Sequence, residues 1–142
     1  MMNEPLRSIM TSEVFAVSSD TPLRTVREIL LKKGVHHVPV IEGQKLVGLI
    51  TTWDMFKLGK SADDYAEMQA KEIMTTHLAT LSPDDHIGAA AEVFEEHLFQ
   101  AIPIVNDARE LVGLVTTHDL LDYEYSKEYP SNLDKFVDEN MH

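Results

Sequence analysis

The chain has 142 residues, 44% of them hydrophobic and 25% charged, with no cysteine and with 12 Lys and Arg against 24 Asp and Glu, a formal charge of −12. That length allows one domain of ordinary size, burying about 68–70% of its unfolded surface, and the composition is globular rather than disordered. So acidic a surface repels phosphate backbones and anionic lipid, which sets aside nucleic acid and membranes as main partners, and the lack of cysteine removes disulfides, thiolate zinc sites, iron–sulfur clusters and cysteine nucleophiles together.

Residues 1–10, with Asn3, Glu4, Pro5 and Arg7, carry no apolar signal-peptide core, and the apolar runs 38–41 and 46–50 are too short to cross a bilayer, so a cytoplasmic location is expected. Ile9-Met10-Thr11 leads into the apolar run 14–17, suited to a strand. Asp20-Thr21-Pro22 reads as a helix start, a capping oxygen and a proline that the first turn tolerates. Leu23, Val26, Ile29 and Leu30 fall at helical spacing, and Gly34 is a natural stop because it turns left-handed without a Cβ clash. Val38-Pro39-Val40-Ile41 reads as a strand with its proline near the start or on an edge. After a polar turn, 46–51 reads as a buried strand and Thr51-x-x-Asp54 opens a second helix. The stretch 57–69, with Lys60, Asp63, Asp64 and Glu67, reads as a polar helical connector.

The series then repeats. Ile73-Met74-Thr75 follows Ile9-Met10-Thr11 at an offset of 64, which holds through Ser82, Asp84, Glu92 and Pro103. The offset becomes 65 where Leu111-Val112-Gly113-Leu114 answers Leu46-Val47-Gly48-Leu49, and stays so through Thr116 and Asp119. The extra residue falls in the polar loop 106–110, where a duplicated unit tolerates one. In the second copy 78–81 takes the place of the first strand and Pro83-Asp84-Asp85 that of the helix start. Ile87, Ala90, Ala91, Phe94 and Leu98 form the helical face, followed by the strands 102–105 and 111–116. Each unit is β-α-β-β-α and roughly 60 residues long, a size at which a lone core is marginal. The expected fold is therefore α+β, two repeats packed sheet to sheet about a pseudo-twofold axis. Residues 1–70 would form repeat one with its connector, 71–125 repeat two, and 126–142 an acidic C-terminal extension of the last helix.

Ile9-Met10-Thr11, the apolar run, the helix, Val38-Pro39-Val40-Ile41 and Gly48-x-x-Thr51-x-x-Asp54, with their second copies, resemble the cystathionine β-synthase (CBS) domain. From about Ser8 to Asp122 the duplicated set resembles a stand-alone tandem pair, a Bateman module. The resemblance implies a disc-like pair, commonly a homodimer, that binds AMP, ADP, ATP or a related adenosyl ligand in two clefts. It implies regulation of an effector protein and no required cofactor, any Mg²⁺ riding on bound phosphate.

The chemistry beneath the resemblance stands by itself. A nucleotide site needs a carboxylate for ribose hydroxyls, donors for phosphate and an apolar slot for the base. Asp54 and Asp119 lie in the first turn of a helix, whose dipole favours an ionised carboxylate, and such a carboxylate accepts both hydrogens of a ribose diol. Thr51 and Thr116 set a hydroxyl beside helix-start N–H groups, suited to an anion. Gly48 and Gly113 leave their strand open to close approach. Thr-x-x-Asp is also a capping box, and one residue can serve both ends.

The resemblance extends this set. It places His36-His37 in copy one, and Gln100-Ala101 in copy two, near the phosphates, where imidazole donates and gains charge; a solvated or edge-strand role is the alternative for one of the two His. It maps Thr75, Ala79 and Phe99 onto the cleft of Asp54, and Thr11, Phe15 and Val35 onto that of Asp119, with backbone groups at Ala79 and Phe15 reading the base edge. Trp53 and His118 would flank the ribose, plain packing being the alternative for Trp53 and Phe99. The clefts are thus expected to be unequal. The Asp54 cleft, with both imidazoles and an aromatic wall, would bind a phosphorylated adenine nucleotide more tightly, and less so as pH rises through the imidazole pKa. The Asp119 cleft would have Gln100, Ala101 and only His118 near the phosphates.

The sequence holds no Gly-x-Ser-x-Gly elbow, Walker loop, Gly-x-Gly-x-x-Gly or His-Glu-x-x-His. His77, His86, His97 and His118 show no repeated ligand spacing, so neither an enzyme nor a metal site is expected. The competing reading is a ligand-free interaction module whose Thr-x-x-Asp boxes only cap helices. Its second helices, with Trp53, Met55, Phe56, Leu120, Leu121 and Tyr123, carry more apolar surface than one packed face uses, which predicts a dimer on either reading.

Overall fold

The computed structural model describes residues 2–59, 61–97 and 99–129. Repeat one forms β1 (Val17–Ser18), α1 (Leu23–Lys33), β2 (His37–Glu42), β3 (Lys45–Thr51) and α2 (Thr52–Leu58). A short α3 (Ala62–Tyr65) follows, and repeat two forms α4 (Ile87–His97), β4 (Ala101–Val105), β5 (Leu111–Thr116) and α5 (Thr117–Glu128). β2 lies between β1, parallel to it, and β3, antiparallel to it, while β4 and β5 form an antiparallel pair. The duplication extends to the register: Pro39 faces Leu49 and Pro103 faces Leu114, and each hairpin is irregular one residue later, at Val40/Ile41 and at Ile104/Val105.

The first strands are shorter than the apolar runs 14–17 and 78–81 suggest, and proline is the reason. In repeat two only Leu81 bridges β4: its N–H donates to the Pro103 carbonyl (3.3 Å) and its carbonyl accepts from the Val105 N–H (2.9 Å). Two residues earlier the same parallel register would ask residue 103 to donate an N–H to the Ala79 carbonyl, and proline has none. Val17 opposite Val40 puts Pro39 and Phe15 in the same relation. Pro39 therefore sits within the central strand, with its nitrogen on the side where β1 has not yet begun.

The local helix caps expected at residues 20–22 and 83–85 are replaced by distant chain. Pro22 precedes α1 with no side-chain capping bond, and the Leu23 N–H donates instead to the Met68 carbonyl (2.9 Å), while the Ala70 N–H reaches Thr21 (2.8 Å). At α4 the Ile87 and Gly88 N–H groups donate to the carbonyls of Glu4 (2.9 Å) and Met2 (3.0 Å). The segment preceding each repeat thus packs on the other one. Leu6, fully buried, joins the core of Ile87, Ala90, Phe94, Ile102, Ile104 and Val115, and Tyr65 and Ala70 join that of Leu23, Val26, Val38, Val40, Ile50 and Met55. The expected helical connector is accordingly broken: α2 ends on left-handed Gly59 (φ 60°), and α3 is four residues long and anchored by Tyr65.

The Ile-Met-Thr motifs have a packing role that explains their glycines. Thr75 and Leu49 exchange two backbone hydrogen bonds (2.9 and 3.0 Å), as do Thr11 and Leu114 (both 2.9 Å), so each motif adds to the free edge of β3 or β5. There a Cβ on Gly48 would lie 2.6 Å from Met74 Sδ, and one on Gly113 would lie 2.7 Å from Met10 Sδ. The two halves also meet turn to turn, Leu46 N–H donating to Arg109 (3.2 Å) and Leu111 N–H to Gln44 (2.9 Å).

Of the six apolar residues expected on free faces of the second helices, Met55 is buried and Leu120 and Tyr123 pack on the second core, which leaves Trp53, Phe56 and Leu121 exposed. Among the described residues no helix is long and apolar enough to cross a membrane. Lys60 of the expected connector, Leu98 of the helical pattern and residues 130–142 of the expected extension lie outside the described residues.

Candidate functional site

Two cavities, of about 670 and 540 Å³, open where the repeats face each other. The first is lined by His36, His37, Thr51 and Trp53 of repeat one together with Thr75, Ala79 and Phe99 from the other copy's motif and strand segments. The second brings Thr11, Phe15 and Val35 against Thr116, His118 and Asp119. The Ile-Met-Thr bridges deliver Thr75 and Thr11 to these positions, and the residues entering β4 and β2 deliver Phe99 and Val35.

Asp119 lines its cavity, whereas Asp54 is not among the residues lining the other. Both aspartates close capping boxes. Asp54 Oδ2 accepts from the Thr51 N–H (2.9 Å) and Asp119 Oδ2 from the Thr116 N–H (2.8 Å), while the Thr51 and Thr116 hydroxyls accept from the Asp54 and Asp119 N–H groups at 3.1 and 3.2 Å. Lys57 Nζ lies 3.7 Å from Asp54 Oδ1. The Thr52 and Thr117 N–H groups donate to the His36 (3.0 Å) and Gln100 (3.1 Å) carbonyls. The helix starts therefore do not present a set of open N–H groups to an anion, as the sequence suggested; their N–H groups at 52, 54, 117 and 119 have protein acceptors. Each threonine hydroxyl keeps its own proton to donate.

The expected division of basic groups is also corrected. His36, His37 and Gln100 line both cavities, and Ala101 lines the Asp54 cavity rather than the Asp119 one. The pseudo-twofold sets the residues entering β2 beside those entering β4, so the imidazoles stand between the clefts instead of belonging to one. His37 is half-buried, and burial first, then the neighbouring His36, hold its imidazole pKa below the ordinary 6.5 against the opposing pull of Asp54. The His36 Nδ1 lies 3.4 Å from the Thr52 hydroxyl, and His118 Nε2 faces Asp122 at 3.4 Å.

Among the lining residues that the sequence did not assign to a cleft, two bear on its chemistry. Phe56 stacks on Trp53 at 5.5 Å with 21° between the rings and shares its cavity; the three-residue spacing along α2 was the available signal. Glu13 lines the second cavity, and its place between Thr11 and Phe15 in an alternating row would have found it. Among the described residues no three His, Asp or Glu are grouped to hold a metal ion.

The family model described as the CBS domain matches residues 6–61 and again 70–126. The chain belongs to the CBS domain family. This CBS pair is 31% identical over 113 residues to a homoserine O-acetyltransferase of Methanohalobium evestigatum, covering 79% of the chain and 22% of that protein. It is 29% identical over 126 residues to an L-aspartate semialdehyde sulfurtransferase of Methanocaldococcus jannaschii, covering 83% and 24%. The chain thus spans less than a quarter of the length of these relatives. Among solved structures, the CBS domain pair of protein MJ0100 in complex with 5′-methylthioadenosine and S-adenosyl-L-methionine is 27% identical with a TM-score of 0.78, covering 88% of this chain and 98% of that one. Protein MJ1004 of Methanocaldococcus jannaschii, at 22% identity, shares the fold with a TM-score of 0.81 over 96% of this chain and 66% of its own.

Proposed function

We propose that this CBS pair is a regulatory module that senses an adenosyl ligand, AMP, ADP, ATP or a relative of them, in its two clefts and performs no catalysis itself. The observation that carries the reading is the composite build of both cavities: a capping threonine at a helix start of one repeat, joined in the second cavity by Asp119, faces a motif threonine and a first-strand segment from the other repeat. Each aspartate gives one oxygen to its cap, and the lone pairs that remain suit ribose hydroxyls. Proline leaves the Ala79 and Phe15 carbonyls without a strand donor, and an adenine amino group is a donor of the right kind. The apolar walls supply the slot. The MJ0100 pair, similar over 88% of this chain, holds two adenosyl compounds.

Because a composite cleft joins both repeats, occupancy ties their relative position to ligand level. That is a state which a partner enzyme or other effector protein in the cytoplasm can read, with a homodimer as the acting unit. The competing reading leaves the clefts empty and the Thr-x-x-Asp boxes as caps alone; the complete caps observed at both helices are what favours it.

Thermal melts with AMP, ADP, ATP, S-adenosylmethionine and 5′-methylthioadenosine separate the two. At a hundredfold excess over its dissociation constant a true ligand adds about 2.7 kcal/mol. Asp54→Ala and Asp119→Ala, each compared with its own ligand-free melt so that the lost cap cancels, are expected to shrink the shift. No shift with any of the five would leave the interaction module as the function.

A further inference from the structure

The clefts are related by duplication, yet they differ in charge. Where the Asp119 side has Glu13 and Phe15, the Asp54 side has His77 and Ala79 at the matching positions; where the Asp54 side has Trp53 and Phe56, the Asp119 side has His118 and Leu121. Glu13 and Asp119 both line the second cavity. The first is walled by Trp53, Phe56 and Phe99, with no carboxylate among its lining residues. Two carboxylates on one cavity, the half-buried Asp119 and the exposed Glu13, repel a phosphate-bearing tail and attract a cation. The bases nearby do not reverse this. Lys33 lies over the Phe15 ring, 5.4 Å from its centre, and is not among the lining residues, and His118 faces Asp122. His36 and His37 serve both cavities and so do not distinguish them.

Resting on the adenosyl reading above, we infer that the two clefts sort adenosyl ligands by the charge of the tail. The Asp119 cleft takes a tail with a net positive centre, such as a sulfonium or an amine, and disfavours polyphosphate. The Asp54 cleft takes an uncharged apolar tail laid against Trp53 and Phe56.

Trp53 is the chain's single tryptophan and lines the Asp54 cavity alone of the two, so its fluorescence reports that cleft while calorimetry reports both. The full chain is titrated with S-adenosylmethionine, 5′-methylthioadenosine, AMP and ATP at low salt, above the ordinary imidazole range. The tightest S-adenosylmethionine event should release heat without changing Trp53 emission and should weaken with added salt. The tightest 5′-methylthioadenosine event should change that emission. Glu13→Gln should weaken S-adenosylmethionine in the silent cleft by about threefold, the scale of one exposed charge contact, and leave 5′-methylthioadenosine as it was. ATP outbinding S-adenosylmethionine in the silent cleft, an S-adenosylmethionine event that reads out at Trp53, or an unchanged Glu13→Gln would each overturn the sorting while adenosyl binding stood. No binding by any of the four would remove both.

Discussion

His37 shows how one side chain acquires a property that its neighbours in sequence do not announce. Burial disfavours its charged form, and His36 beside it adds repulsion, so its pKa lies below 6.5 despite the pull of Asp54. The unfolded chain takes up a proton near the ordinary value, whereas the folded chain does so only at lower pH. The group's contribution is therefore fully present above the ordinary 6.5 and is lost as pH falls through the depressed value in the fold. Melting temperature followed against pH should fall more steeply on the acid side for the wild type than for His37→Gln; parallel curves would mean that His37 is not held neutral. The sequence placed this residue in one cleft; that it lines both cavities and is half-buried came from the folded structure.

At the level of elements, the short segments ahead of each repeat matter as much as the helices they cap. Residues 2–10 supply the carbonyls that receive the first N–H groups of α4 and place the fully buried Leu6 in the second core. Leu6→Ala is expected to cost about 2–5 kcal/mol, as deletion of a buried leucine does. Hydrogen exchange should then accelerate first in α4, β4 and β5, although the substitution lies ahead of repeat one. Faster exchange confined to α1, β2 and β3 would contradict the swap. The Thr-x-x-Asp boxes were legible because a capping box closes within three residues. The caps of α1 and α4 were not, because their acceptors are backbone carbonyls that any residue carries.

For the whole molecule, the apolar surface left on the second helices α2 and α5 narrows to Trp53 (60% exposed), Phe56 (73%) and Leu121 (66%), with Leu31 of α1 exposed to a similar degree (65%). Large exposed side chains grouped on two helices mark an interface more often than a bare surface. Light scattering at micromolar concentration should give twice the mass of one chain, and Leu121→Asp should halve it without lowering the cooperativity of the melt. A wild-type monomer would remove the homodimer from the proposed function and leave the clefts untouched.

The sequence by itself determined the duplication, the β-α-β-β-α order, the two capping boxes and the cross-repeat pairing of Thr75, Ala79 and Phe99 with one cleft and Thr11, Phe15 and Val35 with the other. The first three follow from local spacing or from matching one copy against its twin, and the cross-repeat pairing follows from the resemblance to the CBS family. Only the tertiary structure decided that the leading segments exchange repeats, that proline cuts the first strands short, that His36 and His37 stand between the clefts, and that Glu13 joins Asp119. Each of these depends on backbone and side chains brought together from distant parts of the chain, where packing about the pseudo-twofold, rather than any residue pattern, fixes who meets whom.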